Sequence, residues 1–192
     1  MRMALLEPAN NDDENKQLVE GYAAVFNQRA LIWESEWSGW KYMEVIDSNA
    51  FNGADMSDTV FKYNHGDVAM ILARASNNTL TMNTDDKGLR ISADIIDTNN
   101  GTDVYKLIKR GDLNKMSFAF TVKSERTEVD KENKIYTRTI TAFDKIYDVA
   151  VVDFPAYYGT SIQARSKEYF VDLEKDLQEK QRRKKLLLMT YL

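Results

Sequence analysis

The chain has 192 residues, with 26 Lys and Arg against 30 Asp and Glu, eight Gly, two Pro, no Cys and one His. That length suits a single domain with enough interior to fold without disulfides or a structural metal. With no cysteine there is no thiol nucleophile and no Cys-ligated zinc or iron–sulfur cluster. One histidine excludes multi-histidine metal sites, and the net charge of −4 gives no general case for nucleic-acid binding.

Residues 1–17 are polar and rich in Asn and Asp, which predicts a loose arm. Their one apolar run is too short for a signal peptide, and no later stretch approaches the roughly 18 apolar residues of a membrane span. The expectation is a soluble, cytoplasmic protein. Short β-like runs follow at 18–26 (LVEGYAAVF) and 41–46, either side of a Trp- and Ser-containing loop at 27–40. Asp47 and Ser48 offer an N-cap for a short helical turn ending at Gly53. Residues 58–64 and 68–74 read as strands meeting at Asn64, His65, Gly66 and Asp67, and 79–83 and 89–95 as a hairpin around Asp85, Asp86, Lys87 and Gly88.

One internal helix is predicted, capped by Gly101, Thr102 and Asp103, with Val104, Leu107 and Ile108 on one face and Gly111 as its stop. Residues 116–125 and 135–142 then form a long hairpin with a charged tip at 130–133, and a strand at 145–152 leads to Phe154, Pro155, Ala156, Tyr157 and Tyr158. Nine strands and one helix, with turn signals every 8–12 residues, predict a mainly β (α+β) barrel or sandwich rather than βαβ units. From 166 to 192 strong helix formers take over, and five bases (Lys180, Arg182, Arg183, Lys184, Lys185) fall within six positions. The tail holds 7 bases and 5 acids, leaving 19 bases and 25 acids before it. The plain reading of this run is a solvated helix face, and the alternative is a docking segment for an acidic partner.

The sequence lacks the G-x-S-x-G elbow, the phosphate-binding P-loop and the dinucleotide fingerprint. A serine nucleophile stays open. A hydroxyl needs a base at neutral pH, and His65 is the only imidazole available to be one. Alone, a histidine in an Asn-His-Gly-Asp turn reads as an ordinary polar turn residue, and Ser117 is one of ten serines with nothing local to separate it.

The order of segments separates it. EGYAAVF, SNAF, VFKYNHG, LAR, TLTM, DDKGLRISADI, LIKRGDLNKMSFAF, RTI and YDVAVVDFPAYYGTSI run in an order and spacing that resembles the prohead proteases of tailed phages, relatives of the herpesvirus assemblins. The resemblance spans roughly residues 18–165, and its most specific parts are Asn64-His65, the passage from Arg110-Gly111 to Met116-Ser117-Phe118, and Asp148-Val149 leading to Pro155. It implies an assemblin-like closed β-barrel over 18–165, outside which the tail lies, and a serine endopeptidase without cofactor or metal. Ser117 would be the nucleophile and His65 the general base, with Ser117 Oγ about 2.6–3.2 Å from a His65 nitrogen. By the same resemblance the third member would be an acid or absent, since the second histidine of the assemblins has no counterpart. Asp148 stands where the phage enzymes usually carry Glu, with Asp153 and Asp144 as alternates.

Period-2 alternation puts Asp148 on one strand face with Ile146, Ala150 and Val152. Ala119, Ala150 and Asp153 depart from the family's usual residues, so specificity does not carry over. The oxyanion donors stay open, with Arg138 one candidate. The implied partners are the major capsid protein precursor or scaffold protein, with a homodimer as a further option, inside an immature capsid in the bacterial cytoplasm. The rival reading is a non-enzymatic capsid assembly factor that retains the barrel.

Overall fold

The computed structural model describes residues 6–9, 16–66, 71–153 and, towards the C-terminus, 171, 172, 174–176, 178–180, 182, 183 and 186. The fold is mainly β. Its strands are β1 (Leu6–Pro8), β2 (Leu18–Val25), β3 (Ala30–Glu34), β4 (Lys41–Ile46), β5 (Val60–Tyr63), β6 (Ile71–Arg74), β7 (Leu80–Thr84), β8 (Gly88–Asp94), β9 (Lys115–Asp130) and β10 (Ile135–Val152), with helix α1 (Asn99–Arg110) between β8 and β9.

The strands form two sheets. One has the order β1-β2-β8-β7. The other is built on β10, which pairs with β9 along one edge and with β4 and then β5 along the other, β3 and β6 lying outermost. The pairings among described residues do not close these sheets into a ring, though single hydrogen bonds link their margins, from Leu6 N–H to the O of Asn114 just before β9 (3.1 Å) and from the N–H of Ile96 just past β8 to Leu72 O (2.9 Å).

β10 organises the molecule because its two halves take different parallel partners, Ile135–Ile140 against β4 and Asp148–Val151 against β5. The intervening segment is held along the middle of β10 by backbone bonds such as Phe143 N–H to Ala50 O (2.8 Å) and Ile146 N–H to Asp55 O (3.0 Å). The sequence reading split this strand at 143–144. The chain instead continues through register shifts between Ile140 and Asp148, since bulges absorb extra residues without ending a strand.

Both sheets bury their apolar residues in one core. Val19, Leu89 and Ile91 come from the first sheet, and Phe61, Phe118, Phe143, Ile146 and Val149 from the second. Phe51 and Phe143 pack at 4.6 Å between ring centroids, and Phe118 meets Phe143 edge-on at 5.6 Å. Helix α1 buries Val104 and Ile108 and is capped by Thr98, whose side chain accepts from Gly101 N–H, while Gly111 ends it at φ 90°. The helix thus starts a turn earlier than predicted. Gly101 lies inside it because a Cβ there would come within 2.0 Å of Ile96 O.

Three local expectations need correction. Leu6–Pro8, within the predicted loose arm, is a strand on β2, because Leu6 is fully buried and so repays the ordering of the chain. β3 lies within the predicted Trp-containing loop, where Trp33 stacks on Tyr42 at 5.0 Å and Tyr42 packs against Tyr136 at 5.7 Å in a second, smaller apolar cluster. The predicted helical turn after Asp47 is a run of tight turns, opened by Asp47 Oδ1 accepting from Asn49 N–H (3.0 Å). The described positions from 171 to 186 are helical, and Ser38 Oγ donates to Glu174 Oε1 at 2.6 Å. The segment at 154–158 and Lys184 and Lys185 of the basic run lie outside the described residues. No described helix is long and apolar enough to cross a membrane.

Candidate active site

Strand register decides which side chains share a face. On β9, Phe118 pairs with Val149 of β10, and both point into the core with Phe61 of β5. The adjacent rows must therefore point the other way. These are Ser117 with Ala150 and Lys62, and Ala119 with Asp148 and Val60. Ser117 and Asp148 thus stand on one face of the sheet, two residues of β10 apart.

Here period-2 reasoning misled in one respect. Ile146, expected on the face of Asp148, packs in the core with Phe120, because a bulge lies between Ile146 and Asp148. The extra residue, Tyr147, flips the parity of everything after it, and Asp148 is turned away from the core that Ile146 enters.

His65 reaches this face from β5. After Tyr63 the chain reverses through Asn64 and His65, both in the left-handed region at φ 50° and 53°, and Gly66 N–H closes the turn on Tyr63 O at 3.0 Å. Asn64 N–H bonds Val151 O at 2.9 Å. From there the His65 side chain runs back along β10 and brings Nδ1 to 2.5 Å from Asp148 Oδ1. Both side chains are enclosed, 5% and 10% exposed. To reach Asp148 from beyond Val151 the ring must span Ala150, the fully buried residue whose neighbour on β9 is Ser117.

A hydrogen bond from Nδ1–H to a carboxylate fixes the tautomer that leaves a lone pair on Nε2. His65 Nε2 is buried without a hydrogen-bond partner among the described residues. Ser117 is 5% exposed and lies on the same face, but the direct Ser117–His65 hydrogen bond expected at about 2.6–3.2 Å is not formed here. The structure therefore brings His65 and Asp148 together and sets Ser117 on the same sheet face without that final bond.

A family model for caudovirus prohead serine protease matches residues 5–172. The chain belongs to that family. No curated protein and no solved structure matched the chain. Membership in the prohead serine proteases identifies the chain with capsid maturation and with serine peptidases, and the match extends to both sides of the stretch on which the resemblance was seen.

The alternate acids stand in other settings. Asp144 is exposed, and its backbone carbonyl accepts from Asp55 N–H. Asp153 accepts from Tyr63 Oη at 2.6 Å and from Asn64 Nδ2 at 2.8 Å. The bond to Asp153, helped by burial, pushes the Tyr63 hydroxyl up to about 12, so it remains a donor throughout the neutral range. Arg138 is ten residues before Asp148 on β10 and is paired with Glu125 (2.5 Å) and Glu44 (3.3 Å). Burial outweighs Arg138 at Glu44 and pushes its carboxyl up to about 7. The sequence does not reveal the Asp153–Asn64–Tyr63 contacts. An Asn directly before the His, at a turn, was the one signal for them.

Proposed function

We propose that this chain is a serine endopeptidase that cuts the scaffold, or a scaffold-like segment of the major capsid protein precursor, during prohead maturation, and that it also cuts itself. The observation that carries this is the 2.5 Å contact of His65 Nδ1 with Asp148, on the same sheet face as Ser117. With Nδ1–H donated to Asp148, Nε2 takes the Ser117 hydroxyl proton as Oγ attacks the scissile carbonyl carbon. The carbon–nitrogen bond then breaks, Nε2 returns the proton to the leaving amine, and an acyl-enzyme forms on Ser117. Water, activated by the same Nε2, releases the acid product. The Asp148 carboxylate stabilises the imidazolium in both halves. No step calls for a cofactor or metal.

The chemistry needs Ser117 Oγ and Nε2 to close the last gap when a peptide binds, as catalytic hydrogen bonds commonly tighten with substrate. The assemblin-like closed barrel belongs to this proposal, supported by one core shared between the two sheets and by the hydrogen bonds that link their margins. So do action inside the immature shell in the bacterial cytoplasm, a homodimer, and removal of the tail from 166 onward by self-cleavage.

Co-expression with the cognate capsid precursor tests the central reading. Wild type should convert the precursor to a shorter form, while Ser117→Ala and His65→Ala should leave it intact. Processing that persists in both variants refutes the triad. Shells that assemble normally around unprocessed precursor with wild type present would make the chain an assembly factor instead. Intact-mass measurement of purified wild type and Ser117→Ala tests the tail, because equal truncation in both rules out self-cleavage.

A further inference from the structure

We propose that Asp153 is a positioning residue that holds the His65 turn over β10 by gripping the two residues before it. This rests on the reading of His65 as the base. The turn is the least comfortable piece of backbone near the site, since two consecutive non-glycine residues sit at positive φ. Asn tolerates that region, but such a pair persists only where its surroundings over-determine it.

Asp153 supplies that constraint. Its Oδ1 accepts from Tyr63 Oη (2.6 Å), its Oδ2 accepts from Asn64 Nδ2 (2.8 Å), and its backbone N–H donates to Asn64 Oδ1 (3.1 Å). The Asn64 amide and residue 153 thus close a ring of two hydrogen bonds, and the phenol of Tyr63 completes the grip from the end of β5. Asn64 N–H to Val151 O ties the same turn to β10 once more.

The residue types are specific to the task. Only a carboxylate offers two acceptor oxygens, and an amide at 64 can donate to one part of residue 153 while accepting from another. Asp at 64 would set a second carboxylate against the first. β10 and the residue that follows it therefore hold His65 at two points five residues apart, with Asp148 on the ring and Asp153, just past the end of the strand, on the turn that carries it. Moving the ring by about an ångström costs a base of this kind roughly a hundredfold in rate.

Because His65 is the chain's single histidine, its ring is spectroscopically unique. The Nδ1–H proton in the short bond to Asp148 should give one far-downfield NMR signal. The experiment records this signal, the melting midpoint and the rate of Ser117 acylation by a fluorophosphonate probe, for wild type, Asp153→Ala, Asp153→Asn, Tyr63→Phe and Asn64→Gly. Asp153→Ala should broaden or lose the signal and slow acylation about a hundredfold. Asp153→Asn and Tyr63→Phe, which each remove one tether, should slow it less. Asn64→Gly relieves the backbone but removes the amide ring, and should behave like Asp153→Ala.

A signal and rate unchanged in folded Asp153→Ala overturn the proposal. If that variant does not fold, an unchanged signal and rate in both Asp153→Asn and Tyr63→Phe overturn it equally. If wild type is not acylated, the peptidase reading fails, and the NMR signal still decides whether Asp153 positions His65.

Discussion

Replacing Asp148 by Asn keeps the shape of the side chain and removes its charge. In the wild type the carboxylate lies 2.5 Å from His65 Nδ1, with both side chains at most 10% exposed. When Nε2 takes the serine proton, the imidazolium forms beside this carboxylate. At a charge separation near 4 Å and the effective screening usual in proteins, the attraction is worth about 4 kcal/mol. Each tenfold in rate costs about 1.4 kcal/mol, so its loss slows acylation roughly a thousandfold. The amide adds to this, because an NH2 facing Nδ1 favours the tautomer with its proton on Nε2, where the lone pair is needed, and a total of about 10³–10⁴ is expected. Folding stability should change little, by about 1 kcal/mol, because one hydrogen bond to the ring survives. The assay is the second-order rate of fluorophosphonate labelling alongside a urea unfolding curve. A folded Asp148→Asn protein that labels within tenfold of wild type would refute the role of Asp148.

Three further outcomes follow from the same structure. Ala150→Val adds two methyl groups at a fully buried position that pairs with Ser117 and stands two residues from Asp148 on the same face; labelling should slow at least about tenfold while the fold survives, and an unchanged rate would mean the ring does not pass over Ala150. Gly88→Ala puts a Cβ within 2.0 Å of Ala24 O across the β2–β8 pair, and should lower stability by about 1–3 kcal/mol in urea without changing labelling of the folded fraction. Glu44 holds its proton in the folded protein up to about 7, above its ordinary 4.5, so its contribution to stability is fully present below about 4.5 and is lost as pH rises through about 7. Glu44→Gln should therefore flatten the fall in urea midpoint between pH 4.5 and 7.5, and an unchanged slope would contradict it.

Much of the fold was legible because its signals are local. The β5–β6 and β7–β8 hairpins have turn residues between apolar runs, and α1 has its apolar face of Val104 and Ile108 and its Gly111. β1 and β3 were not legible. They are three and five residues long, and they owe their form to partners far along the chain, Leu6 to the core and to Asn114, and Trp33, through Tyr42, to Tyr136. The candidate site was proposed as a set of residue types and positions through the family resemblance, and the structure joins two of them, His65 and Asp148. Its geometry was not legible, because the bulge at Tyr147 turns Asp148 away from the face of Ile146, and alternation cannot foresee an extra residue. Nor could sequence spacing rank Asp148 above Asp153. The two differ in what faces them, His65 in one case and Asn64 with Tyr63 in the other, and those partners come from more than eighty residues earlier.

The most direct test of the central claim is to treat the full-length protein with a fluorophosphonate and locate the adduct by peptide mass mapping. The expected result is a single adduct on Ser117, lost in Ser117→Ala and nearly lost in His65→Ala. No adduct on wild type, or labelling on another residue that persists in Ser117→Ala, would contradict the assignment of Ser117 as the nucleophile.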